Sequence, residues 1–408
     1  MMINTSSTSY IVGKRAYRIF IGALMAMVSQ GVFSQGVALS QQSQISLITF
    51  GPDQGEFYEA FGHSAIRILD PARGIDYAYN YGVFSFNQPN FYLNFTRGHL
   101  YYQLGVYPYP DFRDAYISVN RFVHEQVLQL TPGQKQKIFD YLEWNALPEN
   151  KVYNYDYFFN NCSSRIRDVF ADVLKGEIRF DGSYIKTDYT IRQLTDLYLD
   201  QQPWGDLGID IGLGSTIDRK ATPYEHMFLP DYLESGFDHA FINVGRTPSS
   251  LVKEKTVIFQ ALPEEQERSW FHPWGIFGFL LVLALALAVF DLRRKKLSTW
   301  FDVTFLWVTG FLGLFLLFLW FGTDHHACAK NYNLLWALPT HVFASVLLLR
   351  KHKPAWLPGY FLATGGICLL LLLTWPILPQ FLNYFLIPYV AAMLVRSVTL
   401  FTLLRQEK

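Results

Sequence analysis

Only three cysteines occur in 408 residues, Cys162, Cys328 and Cys368. Their number and scatter exclude a disulfide framework and a cysteine-rich zinc site. An excess of charge of either sign is also missing, since 34 Lys and Arg face 34 Asp and Glu. A balanced chain offers nucleic acid no global attraction, so partners must be sought in local clusters. Asp, His and Cys meet once, in Thr323-Asp-His-His-Ala-Cys328. Adjacent histidines point in different directions there, and no second cluster with ligand spacing occurs, so neither a metal nor a cofactor is expected.

Half of the residues are apolar, and they are distributed unevenly. Lys14, Arg15 and Arg18 precede the apolar run Ile19 to Val28, followed by small and polar residues through Ser40. This is the layout of a secretory signal, with cleavage after Ser34 or Ala38. The run is shorter than the ~20 residues of a span, which favours cleavage over an uncleaved anchor.

Residues 39–268 read as a water-facing α+β domain. Ile45 to Phe50, His63 to Leu69, Ile75 to Tyr81 and Phe122 to Leu130 have strand character. Thr131-Pro-Gly opens a helix through Trp144, another helix runs from Cys162 to Lys175, and a third pattern starts near Thr190. Pro248 to Glu267 suggests a last strand and a charged linker.

Residues 269–408 have a different texture. Trp274 to Phe290, Phe301 to Trp320, Leu334 to Leu349, Trp356 to Leu373 and Phe381 to Leu404 predict an all-α membrane domain of five transmembrane helices. Basic residues follow the first span (Arg293 to Lys296), the third (Arg350 to Lys353) and the fifth (Arg405 and Lys408). By the positive-inside rule those ends are cytoplasmic, and the α+β domain faces outward, the side a signal peptide also specifies. Arg396 lies toward the cytoplasmic end of the fifth span and is expected to snorkel. Cys368, in the fourth, reads as lipid-facing or packing.

Cys162 stands where an aromatic run meets a helical pattern, in NYDYFFNNCSSRIRD at 154–168. A thiol in the first helical turn feels the positive end of the backbone dipole, which favours the nucleophilic thiolate. It needs a base, and the base needs an orienting group. His63, at a strand start after Gly62, is the leading base. Alternation puts Asp76, Ala78 and Asn80 on one strand face. Asn80 is preferred over Asp76 as orienter because an amide adds no second charge. The backbone N–H of Cys162 and the side chain of Asn160 or Asn161 are candidate oxyanion donors, and the asparagines equally suit a helix cap. A packing role for Cys162, or a disulfide with Cys328, fits poorly beside Asn-Asn and Ser-Ser. In the outward loop, Asp324, His325, Asn331 and Asn333 are candidates for contact with a lipid headgroup or for bracing the active site.

A strand histidine followed about a hundred residues later by a helix-start cysteine reverses the ordinary papain order. The pattern resembles the circularly permuted papain-like superfamily that includes lecithin:retinol acyltransferase. Over most of the mature chain the sequence is similar to one family, the Bacteroides-type lipoprotein N-acyltransferases (Lnb), through FGHSAIRI (61–68), YNYGVFSF (79–86), the Cys162 segment, YEHMFLP (224–230) and TDHHACAKNYNLLWALP (323–339). The resemblance implies a permuted papain-like thiol domain in the periplasm, carried on the bacterial inner membrane. It also implies transfer of an acyl chain from a phospholipid, through a Cys162 thioester, to the N-terminal cysteine amine of diacylated lipoproteins. The residues alone reach an outward-facing thiol enzyme acting near a membrane. A tethered cell-wall cysteine peptidase or amidase and a non-enzymatic receptor or assembly protein are the alternatives.

Overall fold

The computed structural model describes residues 37–55, 59–245, 247–263 and 271–406. Most of the expected signal segment and the boundary expected at 268/269 lie outside the described residues. The strands are β1 (Gln44–Phe50), β2 (His63–Asp70), β3 (Ile75–Val83), β4 (Tyr101–Pro108), β5 (Val123–Leu128), β6 (Val152–Asn154), β7 (Ile178–Arg179), β8 (Phe241–Val244), β9 (Thr247–Ser250) and β10 (Val252–Phe259). The principal helices are α1 (Phe91–Arg97), α2 (Tyr109–Ile117), α3 (Pro132–Ala146), α4 (Cys162–Val173), α5 (Ile191–Asp196), α6 (Pro203–Gly212), α7 (Pro230–Asp238), α8 (Pro273–Arg294), α9 (Thr299–Phe321), α10 (Thr340–Leu348), α11 (Leu357–Thr374) and α12 (Ile387–Gln406). They form two compact units. One contains the residues up to Pro89 with Leu100–Thr187 and Thr222–Pro263, and the other contains Asn90–His99, Asp188–Ala221 and the C-terminal part.

The first unit is mixed α+β. Its seven-stranded sheet has the order β10-β5-β1-β2-β3-β4-β6, with antiparallel neighbours throughout. Strand alternation sorts the side chains to two buried faces. Ile45, Leu47, Ile66, Ile68, Tyr79 and Tyr81 pack against Ile138 and Leu142 of α3, Ile166 and Phe170 of α4, and Leu233 and Phe237 of α7. Ile48, Phe50, Ala65, Ala78 and Val123 cover the other face with Tyr109 and Phe112 of α2. Helix α3 starts in a capping box between Thr131 and Gln134, with Pro132 at its first position, so its fixed φ and absent N–H cost nothing there. Asp76, on the Ala78 face, forms an ion pair with Arg67 at 2.7 Å.

The second unit is helical. Among the described residues, four of its helices are long and apolar enough to cross a membrane: Pro273–Arg294, Thr299–Phe321, Leu357–Ile377 and Tyr384–Gln406. The segment expected as a third span, Leu334–Leu349, is instead a 3-10 turn, Tyr332–Leu335, followed by the nine-residue α10. Pro339 stands just before α10 and interrupts regular helix between them. Nine residues rise only about 14 Å. Gly310 and Gly313 of α9 leave no room for a Cβ against the backbone of Val342 and Ala337, so this broken segment packs directly on α9, where its irregular backbone is shielded from lipid.

Arg396 does not snorkel. It is buried, with Nε donating to Asp302 and Nη2 to Asp291 at 2.7 Å each. Carboxylates at the cytoplasmic ends of α8 and α9 pair with it, an option that a single-span view of Arg396 does not contain. Cys368 is buried among the helices, and all three cysteines are free thiols.

Residues 188–221 are held by polar side chains of the second unit. Arg192 donates to Asp210 and Asp218, Asn331 to the carbonyls of Ile211 and Gly212, and Asn383 to Asp206 and Asp210. These contacts satisfy groups that would otherwise be buried without partners.

Candidate active site

In the first unit, the start of β2, the end of β3 and the start of α4 come together. Gly62 precedes His63 with φ +79, and a Cβ there would lie 2.7 Å from the carbonyl oxygen of Phe50. Only glycine combines that backbone conformation with so close an approach. The β2–β3 ladder pairs Ile66 with Tyr79, and beyond it Gly82 stands beside both Cys162 and the His63 ring.

Helix α4 begins at Cys162 because Asn161 caps it in a reciprocal box with Ser164. Both N–H groups of the Asn161 amide are committed, to the carbonyls of Tyr157 and Phe228 at 2.9 and 2.8 Å. The Asn160 amide donates to the Asn154 carbonyl at 2.6 Å. These side chains therefore fix the loop and the helix start. Cys162 occupies the first helical position, whose N–H has no acceptor within the helix.

His63 Nε2 lies 2.6 Å from Oδ1 of Asn80. With Nε2–H donating to that oxygen, Nδ1 is the unprotonated nitrogen, available as a base. The ring also hydrogen-bonds the Cys162 thiol. Asp76, the other candidate orienter, is occupied by Arg67. Burial acts to lower the His63 pKa, but the Cys162 sulfur and the hydrogen bonds from Cys162 and Asn80 outweigh it, so the pKa is raised. Burial acts to raise the Cys162 pKa, but His63, the Ser163 hydroxyl and the Ser64 backbone N–H bring it below the usual thiol value. The two shifts favour a thiolate–imidazolium pair, a nucleophile and a proton carrier side by side.

Several neighbours of this pair escape a sequence reading. Tyr116 of α2 stacks on the His63 ring, with centroids 6.0 Å apart and planes 8° apart, and Arg121 lies over the far part of this wall, 4.7 Å from the Tyr116 centroid. Ser64 and Ser163, each next in sequence to one of the pair, bond to each other at 3.1 Å. Their adjacency to His63 and Cys162 was a usable signal, whereas nothing local marks Tyr116.

Asp324, His325 and Asn331 belong to the second unit. Asp324 Oδ2 pairs with His99 at 2.7 Å, His325 Nε2 donates to the Phe95 carbonyl at 3.1 Å, and Asn331 caps the turn Tyr332–Leu335. That unit also contains a group absent from the sequence reading. Carboxylate oxygens of Asp196, Asp206 and Asp210 lie within 4.8 Å of one another, close enough to hold a metal ion. The four-residue spacing of Asp206 and Asp210 on one helix face was its visible signal.

A family model described as the Lnb N-terminal periplasmic domain matches residues 40–196, and a second, the Lnb transmembrane domain, matches residues 265–408. No curated protein and no solved structure matches the chain.

Proposed function

The chain belongs to the Lnb family, lipoprotein-processing membrane proteins with a periplasmic N-terminal domain and a C-terminal transmembrane domain, and from that premise we propose that it is a thiol-dependent lipoprotein N-acyltransferase. The observation that carries the proposal is the Cys162–His63–Asn80 relay, with the nucleophile at a helix start and the base oriented from a neighbouring strand. Histidine on an early strand and cysteine on a later helix support a permuted papain-like reading of this domain.

The Cys162 thiolate attacks the ester carbonyl of a phospholipid, forming a carbon–sulfur bond, and the backbone N–H of Cys162 faces the resulting oxyanion. Collapse breaks the ester carbon–oxygen bond. His63 gives its proton to the departing lysophospholipid, leaving an acyl thioester. The N-terminal cysteine amine of a diacylated lipoprotein then attacks that thioester. His63 takes the amine proton, the amide forms, and the thiolate leaves. Asn80 holds the imidazole in the required tautomer, and Asn161 and Asn160 position the helix start that carries the sulfur. Asp324 and His325 form a polar group by which the membrane unit meets lipid headgroups, whereas Asn331 is buried and holds the Ile211 and Gly212 carbonyls. The broken segment Tyr332–Leu348 makes the third of five crossings, which brings the basic residues Arg350 to Lys353 to the cytoplasmic side.

A membrane domain also separates this reading from a tethered wall peptidase. A single anchor suffices for a peptidase, whereas several spans suit a substrate that resides in the bilayer. The test uses the full-length protein in phospholipid vesicles without acceptor. Mass analysis of the Cys162 peptide should reveal a hydroxylamine-labile acyl adduct, absent after His63→Ala. An unmodified peptide, with cleavage of purified peptidoglycan instead, would replace this reading by the peptidase.

A further inference from the structure

We propose that α1 is an interfacial element seated in the outer leaflet of the bilayer that holds the spans, with Tyr92, Leu93 and Phe95 among the headgroups and upper acyl chains. On this seven-residue helix, FYLNFTR, Tyr92 is 76% exposed, Leu93 56% and Phe95 48%. Three large apolar side chains on one short helix are not left to water without a reason.

The occupant follows from how α1 is anchored. Although it connects β3 to β4 in the chain, it belongs to the compact unit of the membrane helices. Asp324 N–H donates to the Arg97 carbonyl at 2.8 Å, His325 donates to the Phe95 carbonyl, and His99 meets Asp324. Gly98, at φ +87, makes the approach possible, because a Cβ there would lie 2.9 Å from the Asp324 carbonyl carbon. Asp324 follows closely on Phe321, the last residue of α9. The basic residues Arg293 to Lys296 precede α9 and mark its start as cytoplasmic, so the clamp stands at the outer interface. The exposed apolar belt of α9 reaches this level with Phe318 and Phe321, and α1 extends the lipid-facing surface sideways. Aromatic residues with one terminal cation, Arg97, suit the zone between acyl chains and phosphates.

The inference deepens the proposed function and rests on it only for the second readout below. Strand β3, which carries Asn80, runs directly into α1 through residues 84–90, so contact with a phospholipid leaflet is built into the connection next to the orienting residue.

The test places an environment-sensitive fluorophore on Tyr92→Cys or Leu93→Cys, with Phe315→Cys of α9 as a deep reference. The background is full-length Cys162→Ser protein in nanodiscs, whose other thiols, Cys328 and Cys368, are buried. Lipids with a nitroxide near the headgroup should quench positions 92 and 93 roughly two-fold or more over aqueous iodide, while Phe315→Cys responds to a deep nitroxide. Quenching at 92 and 93 by iodide, with no response to either lipid, would overturn the inference whatever the enzyme's activity. In the otherwise unaltered enzyme, Leu93→Asp with Phe95→Asp should raise KM for vesicle phospholipid about ten-fold and leave hydrolysis of a water-soluble short-chain ester unchanged. Equal loss on both substrates would contradict a leaflet role.

Discussion

Nε2 of His63 on β2 lies 2.6 Å from Oδ1 of Asn80 on β3, and this contact leaves Nδ1 free for the Cys162 sulfur. It makes Asn80 a positioning residue with a measurable signature. Asn80→Ala should lower kcat by about 10²-fold, the scale of a disabled general base, with little change in KM. Asn80→Asp keeps an acceptor oxygen and should recover part of the rate. Its added negative charge raises the His63 pKa further, so the alkaline limb of the pH–rate profile, where the imidazolium loses its proton, moves to higher pH. Equal losses and unchanged profiles in both variants would mean that Asn80 serves only the fold.

The lowered pKa of Cys162 predicts its alkylation behaviour. Iodoacetamide should modify Cys162 at pH values below those at which ordinary thiols react, and His63→Ala should move that profile upward by removing the imidazolium that attracts the thiolate. Burial pushes the Cys328 thiol up to about 11, so it should stay unmodified throughout. Mass analysis of the two peptides against pH reads both outcomes together.

A second pH dependence comes from the carboxylate group of the membrane unit. Burial, then Asp210 and Asp206, raise the Asp196 carboxyl to about 9, and burial and Asp210 raise Asp206 to about 6. In the unfolded chain both titrate near ~3.9. The folded state therefore holds protons that the unfolded state has released, and the stability they contribute is fully present below about pH 4. It is lost as pH rises through about 6 and then about 9. Thermal unfolding in nanodiscs should show Tm falling across that range, and Asp196→Asn should flatten the upper part.

The buried triad of Arg396 with Asp291 and Asp302 gives a stability prediction. Arg396→Met leaves two uncompensated carboxylates and should cost about 3–5 kcal/mol, the scale of breaking a buried pair. Arg396→Met with Asp291→Asn and Asp302→Asn should recover much of that loss. Chemical unfolding in detergent distinguishes the two variants.

The elements nearest the candidate site were the most legible in the sequence. Strict alternation in Ile75 to Tyr81 set Asn80 and Asp76 on one face, and the caps at Thr131 and Asn161 marked two helix starts. The stretch from Phe84 to Phe112 was not resolved, because aromatic residues serve helix, strand and membrane interface alike. It contains α1, β4 and part of α2. The break in the third apolar segment was not legible, because hydropathy counts apolar residues and is insensitive to the irregular turn before α10, where Pro339 interrupts regular helix. Choosing between Asp76 and Asn80 needed the position of Arg67, which faces Asp76 from the adjacent strand. The spacing of Asp206 and Asp210 on one helix was visible, but their meeting with Asp196 joins two separate helices, and no local pattern announces that.

Lipoprotein N-acylation is tested most directly by the intact mass of a lipoprotein N-terminal peptide from cells with and without this protein. Deletion should remove the mass of one acyl chain, and the parent sequence, but not Cys162→Ala, should restore it. Identical masses in all of these cells would contradict the account.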